Sequence, residues 1–495
     1  MSDTIALAQK LKEIIIEEDS DEKRKNPTQS EILLKIASAA DLMHTADNVV
    51  YANIIINGHR ELWQVRSKGF KRWLVQAFFL QEEKAPSSEA LNSTLNVLEG
   101  KGQFQCPQCK INTRIAGHDG AIYLDLGNDK WESVKIMAQG WEVGNHKEIQ
   151  FHRPSGMLPL PYPSNNGAIQ VLMSLLNVSF DAFMLLVGWL IQAFNPSGPY
   201  PILTLNGEQG TAKSSAARIL RSLIDPNSSP LRTTPRTERD LSISGRNSWI
   251  LSFDNLSYMK PWLSDALCRL STGGGFAIRE LYTNEDEVLF TAKRPIIVNG
   301  ITDVVTRHDL ADRAIFISLE PIPDHKRLTE KELDSRLKEA LPGILGGLLD
   351  AVSVALRNID TTRLDDLPRM ADFALWVQAA EPALPWDTGD FMAVYNENRE
   401  NIIRDSVESN IVASAIMTWM NGRGEWTGTA AGLLDLLDDH VDEKILKHKT
   451  WPNDVRQIGR QLRVISSFMR KVGIEIEFIR TMQGRSIEIT DVRHR

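Results

Sequence analysis

Residues 201–214 read PILTLNGEQGTAKS, and no other stretch of the chain restricts its fold so tightly. Ile202, Leu203 and Leu205 form a short apolar run of the kind found in a buried strand. The run feeds Gly207-Glu208-Gln209-Gly210-Thr211-Ala212-Lys213-Ser214-Ser215, followed by the helix formers Ala216-Ala217-Arg218-Ile219-Leu220. Strand, glycine-bearing loop, Lys-Ser and helix make a phosphate-binding loop. A helix N-terminus offers unpaired N–H groups and the positive end of a dipole to an anion. Glycines let the backbone wrap phosphates closely. Lys213 is placed to reach the β- and γ-phosphates of ATP, and the Ser214 hydroxyl to sit on Mg²⁺. Ala212 stands where the motif usually has its second glycine, which is compatible with the loop if Ala212 already has helical dihedrals.

A chain of 495 residues should hold several domains. Its charged fraction of 24% is that of an ordinary globular protein. A net charge of −8 excludes an overall basic nucleic-acid binder, so any DNA contact must come from local basic faces. Three cysteines exclude a disulfide scaffold and fit a reducing cytoplasm. The first residues lack the basic and apolar regions of a signal peptide, so a cytoplasmic location is expected. The apolar stretch 168–194 is interrupted around Asn177–Asp181. It reads as two buried helices, the second capped by Ser179 or Asp181, rather than a membrane span.

The expected fold class is α/β, with a parallel sheet at its centre. Four domains are expected: an N-terminal α+β domain (1–153), an ATPase core with a helical lead-in (154–326), a helical domain (327–405) and a winged helix (406–495). Residues 1 to about 30, with the charged run 17–25, read as a frayed helix and linker. Asn57-Gly58 and Asp119-Gly120 mark turns, and residues 154–163 carry four prolines in a linker. Beyond the loop, strands ending in Asp254 and Asn299, and a third at Ala314–Leu319, alternate with helical segments, as in a sheet covered on both faces. A carboxylate ending its strand at Asp254 can hold Mg²⁺ with Ser214. Asn299 can sense the γ-phosphate or orient the attacking water. Arg313, after a short helical segment at 303–312, can project into the ATP site of a neighbouring subunit, with Arg307 as second choice.

The order GEQGTAKS, ILSFDNLS, LCRLSTGGGFAIRELYTNEDEVLF, RPIIVNGI, DLADRAIFISL resembles the AAA+ ATPases of phages, prophages and plasmids. These are related to superfamily 3 helicases and to the helicase half of poxvirus-type primase-helicases. The resemblance covers about residues 155–490. It implies a ring, usually a hexamer, that translocates on single-stranded DNA. It also implies nucleotide-motif roles for Lys213, Ser214, Asp254 and Asn255, a sensor role for Asn299 and a finger role for Arg313. The stretch 272–282 matches the glycine-bearing approach to a hairpin pointing into the ring channel. Two departures stand out. Asn255 occupies the position where many AAA+ proteins carry a catalytic glutamate, so no general base is assigned. The hairpin tip, 283–287, is acidic, which moves DNA contact to Arg279, Lys293 or Arg294 on its flanks.

Near the C-terminus, a helix opening at Pro452-Asn453-Asp454 and running to Lys471 carries Arg456, Arg460 and Arg463 on one face. The alternating runs 474–478 and 486–489 form a hairpin with Arg480 and Arg485; helix and hairpin together suit contact with duplex DNA, and a solvated helix face packing on the ring is the alternative. Cys106-Pro107-Gln108-Cys109 is half of a zinc site that His118, His146 or His152 would have to complete; a metal-free turn fits the same residues.

The leading functional reading is an ATP-dependent DNA helicase or translocase of a mobile element, acting in replication with ATP and Mg²⁺ and with no membrane partner. A rival is an AAA+ regulatory ATPase that binds DNA without unwinding it. A third is a nucleotide-gated scaffold for other proteins, as in phage defence.

Overall fold

The computed structural model describes residues 27–256, 258–274, 276–279, 287–290, 292–300, 308–481 and 484–493. The charged N-terminal run expected as a frayed helix lies outside them. The first described helix, α1 (Gln29–Ala37), starts at Thr28, whose side chain and Glu31 form a reciprocal capping box. An antiparallel meander follows: β1 (Asp41–His44), β2 (Val50–Ile56) and β3 (His59–Gln64). Asn57 and Gly58 turn the β2–β3 hairpin with φ of 49° and 82°, the two positive values a two-residue turn of this kind requires. Helices α2 (Lys68–Glu82) and α3 (Ser88–Gln105) cover this sheet around Leu33, Val50, Ile54, Phe70 and Leu98.

A short parallel pair, β4 (Ile111–Asn112) with β9 (Gln150–Phe151), brackets a second meander. That meander is β5 (Ile115–His118), β6 (Ala121–Asp125), β7 (Ser133–Met137) and β8 (Gly140–Gly144). All of β6 is buried, because both faces of this sheet are covered. One face, through Ile115, Leu124 and Ile136, joins a hydrophobic cluster that continues to Tyr395 and includes the strands around residue 205. The core is thus continuous across the proline-rich linker.

The stretch 168–194 forms α4 (Val171–Leu175) and α5 (Phe180–Phe194), with Ser179 capping the second. Next come β10 (Ile202–Asn206), α6 (Lys213–Ser222), α7 (Glu238–Arg246), β11 (Leu251–Leu256), α8 (Pro261–Thr272), the hairpin β12 (Phe276–Arg279) with β13 (Glu287–Phe290), β14 (Ile296–Gly300), α9 (His308–Ala311) and β15 (Ala314–Ser318). Strands β11, β14, β10 and β15 pair in that order, all parallel. Of the helical segment expected at 303–312, α9 is the described part, and Arg307 lies outside the described residues.

Helices α10 (Glu330–Asn358), α11 (Ala371–Ala380) and α12 (Asp390–Ser409) close the large core. By length and composition α10 could cross a membrane, yet 56% of its apolar window is buried inside the protein. It lies against β7 and β8, where Ser353 Oγ donates to the Met137 carbonyl at 2.6 Å. The linker crosses α10 at Gly346, where a Cβ would stand 1.9 Å from the Ser164 carbonyl oxygen, so only glycine admits the crossing.

A buried ionic cluster fixes the end of α6. Asp225 accepts from the backbone N–H groups of Trp249 and Ile250, at 3.0 and 3.1 Å. Arg114 lies 3.4 Å and Arg221 3.6 Å from its carboxylate, and all three side chains are almost fully buried. Burial lowers the pKa of both guanidinium groups, that of Arg221 to about 10.

The C-terminal unit has its own core. It comprises α13 (Ile411–Met420), β16 (Glu425–Gly428), α14 (Ala430–Asp438), α15 (Glu443–Leu446), α16 (Val455–Lys471), β17 (Ile474–Thr481) and β18 (Gly484–Asp491), with β18 central in an antiparallel sheet. Asn410, Thr429 and Asp454 each cap a helix by accepting backbone N–H groups.

Candidate active site

The loop between β10 and α6 is shaped by three left-handed or glycine-only positions. Gly207 has φ 144°, and a Cβ there would meet the Leu319 carbonyl oxygen at 2.6 Å and Thr211 Oγ1 at 2.8 Å. Gly210 has φ 86°. Ala212 has φ 64° and ψ 29°, which corrects the expectation of helical dihedrals. It is the N-cap residue, in the conformation a glycine would adopt freely, and its Cβ makes that conformation cost about 1–2 kcal/mol. Ala212→Gly is therefore expected to stabilise the folded chain by about 0.5–1 kcal/mol once glycine's greater unfolded-state entropy is deducted. A urea titration reads this as a higher midpoint, and a lower midpoint would mean that the Ala212 methyl makes packing contacts that outweigh its strain.

Because Ala212 offers no side-chain cap, the first N–H groups of α6, around Lys213, Ser214 and Ser215, have no capping side chain. Lys213 Nζ arches back to donate to the Gly207 and Glu208 carbonyls at 2.7 and 2.6 Å, holding a cation over the loop. Thr211 is buried and ties the loop by donating to the Glu208 carbonyl at 3.0 Å. Gln209 is exposed beside it. Ala216, Ala217, Ile219 and Leu220 bury the other face of α6 in the large core.

Strand order brings the remaining polar residues to this edge. With β14 between β10 and β11, Asn299 lies beside Leu205, one residue before the end of β10. Ser214 Oγ donates to Asp254 Oδ1 at 2.8 Å. Asp254 does not end its strand as expected: β11 continues to Leu256, with a register irregularity between Phe253 and Leu256. Asn255, at φ 56°, forms that irregularity and donates its backbone N–H to Asn299 Oδ1 at 2.6 Å. Asn299 is buried, and its Nδ2 has no hydrogen-bond partner among the described residues. A buried, unpartnered amide donor is costly unless a ligand or water meets it.

Arg313 precedes β15, at the opposite edge of the sheet. The rise of β10 separates that edge from the loop by about 13 Å, further than an arginine side chain reaches. Sequence reasoning missed Arg327, whose guanidinium lies 3.9 Å from where a side chain on Gly210 would begin. It belongs to a turn far along the chain, and no local pattern announces it; Asp324, 3.4 Å away, is its carboxylate partner.

Arg279 ends β12, opposite Glu287, and residues 283–286 of the hairpin tip lie outside the described residues. Arg294 does not flank the hairpin as a free cation: it is half-buried, donates to the Gly245 and Ser248 carbonyls and lies over the Trp249 ring, and desolvation lowers its pKa to about 10. Lys293 likewise donates to the Ser197 carbonyl at 2.7 Å. Both are thus anchored to the protein itself, where unpaired basic flanks were expected.

On α16, Arg456, Arg460 and Arg463 are exposed, opposite the buried Ile458, Leu462 and Ile465. Arg463 lies over the half-exposed Phe478 ring, 5.4 Å from its centroid, and Arg480 pairs in register with exposed Arg485. Cys106 caps the C-terminal end of α3, and Cys109 donates its N–H to the His44 carbonyl. Among the described residues, no group of three or more His, Cys, Asp or Glu side chains is arranged to hold a metal. His146 is instead hydrogen-bonded to Ser133, and His152 packs edge-on against Tyr51.

Residues 169–389 match the family model described as actinomycete integrative conjugative element replication protein, and residues 412–495 match that of the RepA C-terminal domain of the same elements. Together they span more than half of the chain. No curated protein matches it. Among solved structures, the chain is similar to the active helicase Cch of SCCmec type IV at 13% identity and TM-score 0.47, covering 91% of this chain and 92% of that one. It is also similar to the apo C-terminal region of NrS-1, at 14% identity and TM-score 0.39, covering 95% and 100%.

Proposed function

We propose that this chain, which matches the replication protein of actinomycete integrative conjugative elements over residues 169–389 and the C-terminal domain of their RepA over 412–495, is an ATP-driven DNA helicase or translocase acting in replication of the element. The observation that carries this reading is the meeting of Lys213, Ser214 and Asp254 at the mouth of a glycine-shaped loop on a parallel sheet. Ligands of open α/β sheets bind at the carboxyl ends of their strands, and this is where the three residues lie.

In this reading the backbone from Gly207 to Ser215 cradles the phosphates of ATP, and Lys213 leaves its loop carbonyls for the β- and γ-phosphates. Ser214 and Asp254 hold Mg²⁺, which when bound neutralises charge developing on the phosphates. Asn299 offers its unpartnered Nδ2 to the γ-phosphate or the attacking water, while Asn255 fixes its other end. Arg327 adds a cation beside Gly210 from the same chain. Arg313, on the far edge of its own sheet, serves the site of the next subunit in a ring, a hexamer by the AAA+ resemblance. Single-stranded DNA passes through the channel near the β12–β13 hairpin and Arg279. The C-terminal unit, read as a winged helix, contacts duplex DNA through Arg456, Arg460, Arg463 and Arg485. The four-domain division, cytoplasmic location and absence of a membrane partner belong to the same proposal.

One experiment separates this reading from a regulatory ATPase. ATP hydrolysis is expected to rise with single-stranded DNA, and a forked duplex to be separated only with ATP and Mg²⁺. ATPase activity without any strand separation would favour the regulatory rival. In the same protein, replacing Arg456, Arg460 and Arg463 by Gln should flatten the slope of log affinity for duplex DNA against log salt by up to about three units, near 0.9 per lost phosphate contact. An unchanged slope would remove the C-terminal unit from DNA binding.

A further inference from the structure

Between the two N-terminal sheets lies an open cleft of about 540 Å³, walled by β2 and β3 on one side and by the β6–β9 region on the other. It is remote in sequence from the loop at Gly207, and nothing in the ATPase reading uses it. Its chemistry differs from that of the chain as a whole. The protein carries a net charge of −8, yet Arg60, Lys147 and Arg153 line this cleft against one lining carboxylate, Asp125. That carboxylate is already engaged: Arg153 holds it through Nε and Nη2 at 2.9 and 2.5 Å, and Gly127 donates its N–H to it at 3.0 Å. Asp41 touches Arg60 from outside the lining, and Lys147 is exposed at the mouth.

The aromatic wall is held in a strained position. Trp131 has φ 55°, a left-handed value that is an outlier for a bulky residue, and the Arg153 guanidinium stacks 4.0 Å from the centre of its ring. Strain of this kind persists where surrounding structure over-determines it, and it concentrates at binding and switch sites. On the facing wall, Asn53 is more than nine-tenths buried, and its Oδ1 has no partner among the described residues. A buried acceptor left open in this way fits a ligand that carries an N–H donor. His146 lines the same space, and burial lowers its pKa, so the ring stays neutral at physiological pH and can hydrogen-bond without adding charge.

We propose that this cleft binds one nucleotide unit, its base between Trp131 and Asn53 and its phosphate at Lys147 and Arg60. A planar group with N–H donors joined to an anion matches the wall chemistry, and the volume is within the range of small-ligand sites. The unit can be presented by single-stranded DNA, bases stacking on aromatic side chains along a basic groove, or by a free nucleotide. The proposal goes beyond the motor reading, because it gives the N-terminal sheets a nucleotide-contacting role of their own.

The test is ultraviolet cross-linking of the full-length chain to a bromodeoxyuridine-substituted oligothymidylate, with the adduct mapped by peptide mass. An adduct is expected on the segment containing Trp131 or on 145–153. Lys147→Glu, at an exposed position, should reduce that adduct at least about tenfold, the equivalent of one charge-assisted contact, with an unchanged melting temperature. Lys213→Ala should leave the adduct intact, so that failure of the ATPase reading and failure of this one are distinguishable. Excess thymidine monophosphate that erases the adduct identifies a free nucleotide as the ligand, and an adduct that survives it identifies the strand. No adduct in either segment, or one insensitive to Lys147→Glu, overturns the proposal.

Discussion

Lys213→Ala is expected to abolish ATP hydrolysis without unfolding the protein. Among the described residues, Lys213 Nζ binds carbonyls of its own loop, Gly207 and Glu208, so its loss opens no core cavity and strands no buried charge. What disappears is the cation over the loop that is proposed to meet the β- and γ-phosphates. Arg313→Ala should also be slow, by about 10³-fold or more if it acts as a finger, yet still bind ATP. The two variants differ in which side of a subunit interface they damage. Mixed together, a Lys213→Ala subunit supplies an intact Arg313 to the loop of an Arg313→Ala neighbour, and part of the activity should return. ATPase rates across mixing ratios give the answer. Full activity in folded Lys213→Ala would end the site assignment. Absence of rescue would place Arg313 outside any shared site.

Asp225→Ala is expected to cost about 3–5 kcal/mol of stability, because it removes the one side-chain carboxylate that, among the described residues, lies within salt-bridge distance of the buried guanidinium groups of Arg114 and Arg221. It also strips the acceptor from the Trp249 and Ile250 N–H groups at the start of β11. Asp225→Asn, which keeps an acceptor but not the charge, should fall between the variant and the parent. Urea midpoints for the three proteins supply the comparison. A loss below about 1 kcal/mol in Asp225→Ala would mean that backbone carbonyls, such as those of Asp125 and Leu158 on Arg114, satisfy the guanidinium groups by themselves. Because this cluster joins the end of α6 to the start of β11, its loss should also loosen the Ser214–Asp254 hydrogen bond.

Features with a local cause can be read from short stretches of the chain. Helix starts at Thr28, Ser179, Thr429 and Asp454 follow from short polar side chains that accept N–H groups two or three residues ahead. The Asn57-Gly58 turn follows from the few residue types that tolerate positive φ. The loop from Gly207 to Ser214 was legible for the same reason, since glycines, lysine, serine and the following helix lie within one short window. Features that depend on register and burial emerge only when distant elements pack together. Ala212 takes a left-handed conformation because the loop must close on the α6 N-terminus, a constraint its side chain does not reveal. Asn299 meets Asn255 only because β14 inserts between β10 and β11. Arg294, basic and beside a hairpin in sequence, is held against the protein by backbone carbonyls and Trp249. Arg327 reaches Gly210, and the Trp131–Arg153 stack faces Asn53 across a cleft, through contacts between segments far apart in the chain. Such pairings are set by how whole elements pack, and no periodicity within a single segment encodes them.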